Sequence, residues 1–366
     1  MSCHSVDELL AAMSPSTDLS SWNGAQWDRV IRLARNADVV ARIGESALVG
    51  GSWDCIPPEV RRHIESAQVL TRRQHDEIRM EVAALEQALQ SIQLPLVLLK
   101  GAAYALAGLR ASAGRMVSDL DILVPRERLA DVEMALMLNG WISSNRDAYD
   151  QRYYRKWMHE LPPMIHMKRG TSLDVHHAIL PLTARLKPNT ALLLGDAVAV
   201  DGYEHVRVLS RVDMVLHSAT HLFHEGELEL GFRGLVDLDA LLREFSPVAG
   251  FWDDLFQRAR ELDLEWPLFY ALRYTLKLLG TPVPEAASEH LKNRDRLNVS
   301  GCRLRMMDAL FLRALLPAHE LTSDAWTPLA RFALYVRGHW LRMPPWLLVW
   351  HLLHKAISPS TESTKA

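Results

Sequence analysis

The stretch "RMVSDLDILV", residues 115–124, constrains this chain more than any other. Leu120, Ile122, Leu123 and Val124 are apolar and mostly β-prone, and Pro125 stops the run, so the segment predicts a strand. Side chains alternate along a strand, which puts Asp119 and Asp121 on one face and Leu120 and Ile122 on the other. Their α-carbons are then roughly 7 Å apart. Neighbouring carboxylates raise one another's pKa, and a shared divalent cation removes that repulsion. Hard oxygen ligands favour magnesium or calcium. A strand end with two solvated aspartates is the plainer alternative.

The surroundings of this strand predict an α+β unit. "LPLVLLKG" reads as a short buried strand ended by glycine, "AAYALAGLRA" as a short helix or turn, and "RERLADVEMALMLNGW" as a helix stopped at Gly140. "QRYYRKWMH", "PMIHMKRG" and "TSLDVHHAIL" read as three further strands. Residues 1–93 read as a helical segment. "AQWDRVIRLARNADVVARIG" carries Trp27, Val30, Ile31 and Ala34 at helical spacing, with Gly44 as its stop. A long helix then opens at a proline and lines up Ile78, Val82, Leu85, Leu89 and Ile92 on one stripe. The expected division is a helical segment over 1–93, a core with a small mixed sheet over 94–208, a helical domain over 209–357 and a disordered tail over 358–366.

Composition narrows the partners. The chain has 366 residues, 49% of them hydrophobic, with a net charge of −3 and no long basic tract, so nucleic acid is not the expected partner. Cys3, Cys55 and Cys302 lie far apart without a C-x-x-C pair, which fits a reducing, cytoplasmic compartment. The first residues lack a signal-peptide pattern, and no run of 18 apolar residues predicts a spanning helix. "MPPWLLVWHLLHKAI" is apolar enough to lie on a membrane surface, with Arg331, Arg337 and Arg342 nearby; a core or partner-facing helix is the alternative.

A second strand also carries an acid among apolar neighbours. In "SLDVHHAI", Leu173 and Val175 share one face, and Asp174 and His176 share the other. A D-x-D strand, a lone Asp on a later strand, and a preceding glycine-ended strand with its helix together resemble the nucleotidyltransferase superfold of DNA polymerase beta-like enzymes. The chain is similar, more closely, to the bacterial family called uncharacterised nucleotidyltransferases. The residues that carry the likeness are Lys100-Gly101, Arg115, Asp119, Asp121, Asp174, His176, the H-x-x-x-H pair His217 and His221, and the R-x-x-x-D pair Arg233 and Asp237. Ala102 stands where the superfold has glycine or serine, and Gly101 lies about twice as far from Asp119 as in its general motif.

The resemblance implies transfer of a nucleoside monophosphate from a triphosphate, with ATP as the expected donor, to an acceptor hydroxyl on a small molecule, peptide or protein.

 Asp119 and Asp121 would bridge two Mg2+ ions, and Asp174 would hold the catalytic ion and accept the hydroxyl's proton. Backbone N–H groups at Gly101 and Ala102 would face the β- and γ-phosphates, with Lys100, Arg115 and Ser118 as further contacts and His217, His221 and Arg233 lining the nucleotide pocket. Each residue also has a plainer role. Lys100 can cap a strand, Arg115 can pair with an aspartate, and His176 can be a satisfied sheet histidine. Arg233 and Asp237, one turn apart, can pair with each other. His217, His221 and His224 share a helical face, which permits zinc as well as core packing. Two other functions stay open on these residues: a non-catalytic, antitoxin-like binding protein, and a phosphotransferase using the same metal site.

Overall fold

The computed structural model describes residues 3–144, 148–224, 226, 228–285, 287 and 300–344. The chain opens with helices α1 (Cys3–Ala12), α2 (Gly24–Asn36), α3 (Val40–Val49) and the 32-residue α4 (Pro58–Leu89). Helix α2 starts at Asn23, whose side chain accepts from the Gln26 N–H while the Gln26 side chain accepts from the Asn23 N–H, each at 3.0 Å. That reciprocal cap satisfies two N–H groups that a helix end leaves orphaned. Gly44 does not stop a helix as expected. The break comes earlier, at Asp38 with φ of 57°, and Gly44 lies inside α3. A side chain there would strike Ile64 Cγ2 at 2.5 Å, so the glycine serves the close approach of α3 to α4.

Seven strands form one mixed sheet in the order β3-β4-β5-β2-β1-β7-β6. They are β1 (Leu96–Leu98), β2 (Asp119–Leu123), β3 (Trp141–Ser143), β4 (Met164–His166), β5 (Ser172–His176), β6 (Val198–Ala199) and β7 (Val206–Val208). The β1–β7 and β2–β5 pairs are parallel and the others antiparallel. Between them lie α5 (Lys100–Leu106), α6 (Leu129–Leu138), α7 (Ala148–Trp157) and α8 (Thr190–Gly195). Helix α7 occupies the place expected for a strand at "QRYYRKWMH". Its Gln, Arg and Lys residues favour helix. Arg155 also bonds Gln151 one turn back and pairs with Glu133 of α6 at 2.6 Å, a helical-turn contact and a tertiary pair on a segment whose aromatic residues suggested β.

Helices α9 (Arg211–His224), α10 (Gly231–Phe245), α11 (Phe251–Glu261), α12 (Glu265–Leu279), α13 (Gly301–Ala314) and α14 (Thr327–Arg342) follow. One apolar cluster runs from the sheet through Ile78, Val82 and Leu85 of α4 and into α9, α10 and α12. A second joins α1, α2 and α3 to the first turns of α4. Helix α4 therefore contributes to both cores and fixes the N-terminal helices against the sheet. Arg337, one of the arginines expected near a membrane surface, turns inward instead. It donates to the Phe223 carbonyl at 2.8 Å and lies over the Tyr270 and Phe311 rings. Among the described residues no helix is long and apolar enough to cross a membrane. The apolar segment from Pro345 to Ile357 and the tail expected over 358–366 lie outside the described residues.

Candidate active site

The parallel pairing of β2 with β5 sets the geometry. Its register places Asp119 beside Ser172, Asp121 beside Asp174 and Leu123 beside His176. Residues directly opposite on neighbouring strands share a face, so Asp119, Asp121, Asp174 and His176 lie on one side of the sheet. The other side is the core, where Leu120, Ile122, Leu173 and Val175 are buried. Apolar alternation on both strands thus pins the register that brings the acids together.

The acids differ in environment. Asp119 is exposed at the strand entrance, and the Ser118 hydroxyl donates to it at 3.3 Å. Asp121 is buried and accepts from Lys100 Nζ at 2.8 Å and from His176 Nε2 at 2.9 Å. Burial works against its charge, but Lys100 and His176 outweigh it and hold the carboxyl far below the usual range. Asp174 has no such partner. Its Oδ1 is buried and accepts no hydrogen bond. Burial, then the charge of Asp121, push its carboxyl up to about 6. His176 bridges to a fourth acid, since its Nδ1 lies 3.2 Å from Glu160 Oε2. Burial alone would lower the His176 pKa, but its bond to Asp121 and the Glu160 charge raise it.

This asymmetry fixes a pH dependence. An unfolded Asp174 titrates at the ordinary 3.8, and the folded one is pushed up to about 6. Below pH 3.8 both states hold the proton and nothing is lost. Between 3.8 and about 6 the unfolded state ionises while the buried carboxyl keeps its proton, so stability falls across that window and levels off once the folded state ionises too. Asp174→Asn cannot ionise. In the absence of divalent ions it should therefore melt higher than the parent at pH 8, by on the order of 1–3 kcal/mol, and the gap should close below pH 4. Chemical denaturation at both pH values measures this; an equal gap at both would show that Asp174 ionises without penalty.

A cavity of about 180 Å3 opens beside the acids, lined by Lys100, Gly101, Ser118, Asp119, Asp121, His221 and Arg233 among others. A larger cleft of about 1000 Å3 lies between the β6–β7 edge and α11, but Asp119, Asp121 and Asp174 are not part of its lining, and the chemistry favours the smaller one. Lys100 adopts φ of 50°, an unusual backbone for a residue with a side chain, directly at the cavity. Arg115 lines the cavity too, but its Nε donates to Asp237 Oδ2 at 2.8 Å. Arg42 of α3 bonds the other oxygen of the same carboxylate. Gly101 is required by this packing, since a side chain there would fall on the Arg115 guanidinium. The long spacing between Gly101 and Asp119 thus accommodates the loop that delivers Arg115 to Asp237. Helix α4 steadies that loop: His75 Nε2 meets the Arg115 carbonyl at 2.8 Å and Gln74 accepts from the Val117 N–H at 3.2 Å.

The remaining candidates divide. Arg233 pairs with Asp38 rather than with Asp237 one turn away. His217 is buried outside the cavity lining, and burial, then His221, push it down to about 3, so it is neutral near pH 7. Ala102 is buried in α5, away from the cavity lining. Among the described residues the group of His, Cys and acid side chains with ligand atoms within 4.8 Å of one another is His159, Glu160 and His176; neither the His217–His221–His224 row nor Asp119, Asp121 and Asp174 draw together that closely.

A family model described as uncharacterised nucleotidyltransferase matches residues 23–280, more than two thirds of the chain. The chain belongs to that family. No curated protein and no solved structure matches it. The match supports a general nucleotidyltransferase role, and it spans the three aspartates, the cavity and the Arg42–Asp237–Arg115 cluster. For this nucleotidyltransferase-family chain, two residues at the site had no sequence signal. Glu160 sits in "HELPP" with no periodicity to mark it, and His159 beside it reads as the end of a polar run. Only the closing of residues 159–161 onto β5 reveals them.

Proposed function

We propose that the chain is a metal-dependent nucleotidyltransferase on the polymerase beta-like plan, moving a nucleoside monophosphate from a nucleoside triphosphate such as ATP to an acceptor hydroxyl. The observation that carries this reading is the buried, unpartnered Asp174 Oδ1 set beside Asp121 on the face that Asp119 shares. Mg2+ fits this donor set, because the three side chains offer hard oxygens and one of them lacks any partner. When bound, two such ions neutralise the triphosphate and activate the acceptor oxygen.

The chain's own groups do the rest. Lys100 and Arg233 line the cavity and bring positive charge to the phosphates, while Ser118 and His221 offer hydrogen bonds there. Arg115 is committed to Asp237, so it acts at one remove, holding the loop that leads into β2. Asp174, beside Asp121 on the shared face, would hold the catalytic ion and accept the attacking hydroxyl's proton.

Calorimetry with ATP, followed by transfer assays with α- and γ-labelled ATP against a panel of hydroxyl acceptors including the chain itself, tests this. The expected result is Mg-dependent ATP binding, transfer of the α-label and release of pyrophosphate. Arg233→Gln should weaken ATP binding roughly 10- to 100-fold, as expected for one charged hydrogen bond. Transfer of the γ-label with release of ADP would make the chain a phosphotransferase, and no binding of Mg–ATP would overturn the reading altogether.

A further inference from the structure

Next to the aspartates, residues 159–161 are zipped onto the end of β5. The Leu161 N–H donates to the Val175 carbonyl at 2.9 Å, and the His177 N–H donates to the His159 carbonyl at 2.8 Å. Glu160 and His176 face each other as an antiparallel bridge. This backbone lattice brings one nitrogen of His159, one nitrogen of His176 and a Glu160 oxygen within 4.8 Å of one another. The two rings lie 5.2 Å apart. His159 and His176 are buried, and Glu160 is mostly so.

We propose that His159, Glu160 and His176 form a binding site for a borderline divalent transition ion of the zinc type, adjoining the aspartates through His176 but using none of their oxygens. Two imidazoles and one carboxylate are the donors that such ions prefer, whereas Mg2+ favours oxygen alone. The Glu160 Oε2 to His176 Nδ1 distance of 3.2 Å is already close to an edge of a zinc tetrahedron, roughly 3.4 Å for arms of about 2.1 Å. The other nitrogen of His176 is turned to Asp121 at 2.9 Å. A carboxylate on the far nitrogen is the arrangement that orients a metal-bound histidine and fixes its tautomer. The ion would replace the proton between His176 Nδ1 and Glu160, leaving His176 neutral with its Nε2 proton on Asp121. The backbone lattice sets the two segments side by side, and the His159–His176 ring contact and the Asp121 bond hold the donors there, so the site is built before any ion arrives.

The site does not depend on nucleotidyl transfer, and the test reads the metal alone. Untagged chain, stripped with a chelator and held in excess Mg2+, is titrated with Co2+ and followed by visible absorption, then competed with Zn2+. The expected result is one Co2+ per chain with the absorption of a low-coordinate site, displaced by Zn2+. Glu160→Gln and His159→Asn should abolish the band, whereas Asp119→Asn, which touches none of the three donors, should leave it. Asp121→Asn should weaken binding roughly 10- to 100-fold through His176. Far-UV circular dichroism checks each variant's fold. Absence of a stoichiometric band in the parent overturns the proposal without reference to any variant, as does a band that survives both Glu160→Gln and His159→Asn. Failure of nucleotidyl transfer with the Co2+ band intact would count against the proposed reaction and leave this site standing.

Discussion

Asp174→Asn should bind Mg–ATP about as tightly as the parent and transfer the nucleotide slower by several orders of magnitude. Each order is worth about 1.4 kcal/mol of barrier, so a thousandfold loss reports about 4 kcal/mol of transition-state stabilisation. The argument rests on the difference between the three acids. Asp119 and Asp121 sit on the strand beside Lys100 and the cavity, where the triphosphate would lie. Asp174 is one strand further over and outside the cavity lining. Its loss should fall on activation of the acceptor rather than on the triphosphate. Asp119→Asn should lose both binding and transfer while keeping its stability, because Asp119 is exposed. Asp121→Asn should lose both and melt lower as well, because Lys100 and His176 lose a charged partner. Calorimetry beside single-turnover transfer separates the outcomes. Transfer at the parent rate by Asp174→Asn would remove it from the reaction, and normal binding and transfer by all three variants would end the two-ion reading.

The sequence carried the faces of the strands but not their pairing. Alternation around Asp119, Asp121 and Asp174 showed three acids on outward faces, because a strand's period of two is local. The register that sets Asp121 beside Asp174 joins residues 53 apart, and only the packed sheet reveals it. The same limit hid the ion pairs. Arg233 and Asp237 are neighbours by helical spacing, yet their partners come from α3 and from the loop before β2. Burial was hidden too: His217 and His221 look alike in the pattern, but only His221 lines the cavity. Where local signals misled, the structure shows a tertiary contact. At Gly44 the α3–α4 approach needs a glycine inside a helix, and in α7 Arg155 pairs with Glu133.

Asp237→Ala should destabilise the protein by about 3–5 kcal/mol, because it strands two buried guanidinium groups at once. Arg42 and Arg115 have side chains only 7% and 10% exposed, and both spend their charge on the one carboxylate. Burial works against the Arg115 charge, but Asp237 outweighs it and keeps the guanidinium charged. The three residues come from α3, the loop before β2 and α10, so the cluster ties the N-terminal helices, the sheet and the C-terminal helices together. At roughly 2–4 °C per kcal/mol for a large domain, the melting temperature should fall by about 6–20 °C. Asp131→Ala, which removes an exposed partner of Arg128, is the control and should cost about 1 kcal/mol or less. The triple change Asp237→Leu, Arg42→Met and Arg115→Met should recover much of the loss, since apolar groups of similar size replace a buried ion cluster at little cost. It should not recover ATP binding, because Arg115 packs against Gly101 at the cavity wall and the loop it holds carries Ser118 into the site. Thermal melts and ATP calorimetry on the same four proteins decide this. A parent-like melt for Asp237→Ala would mean that the two arginines find other partners, and recovered ATP binding in the triple variant would mean that the loop needs only bulk, not charge.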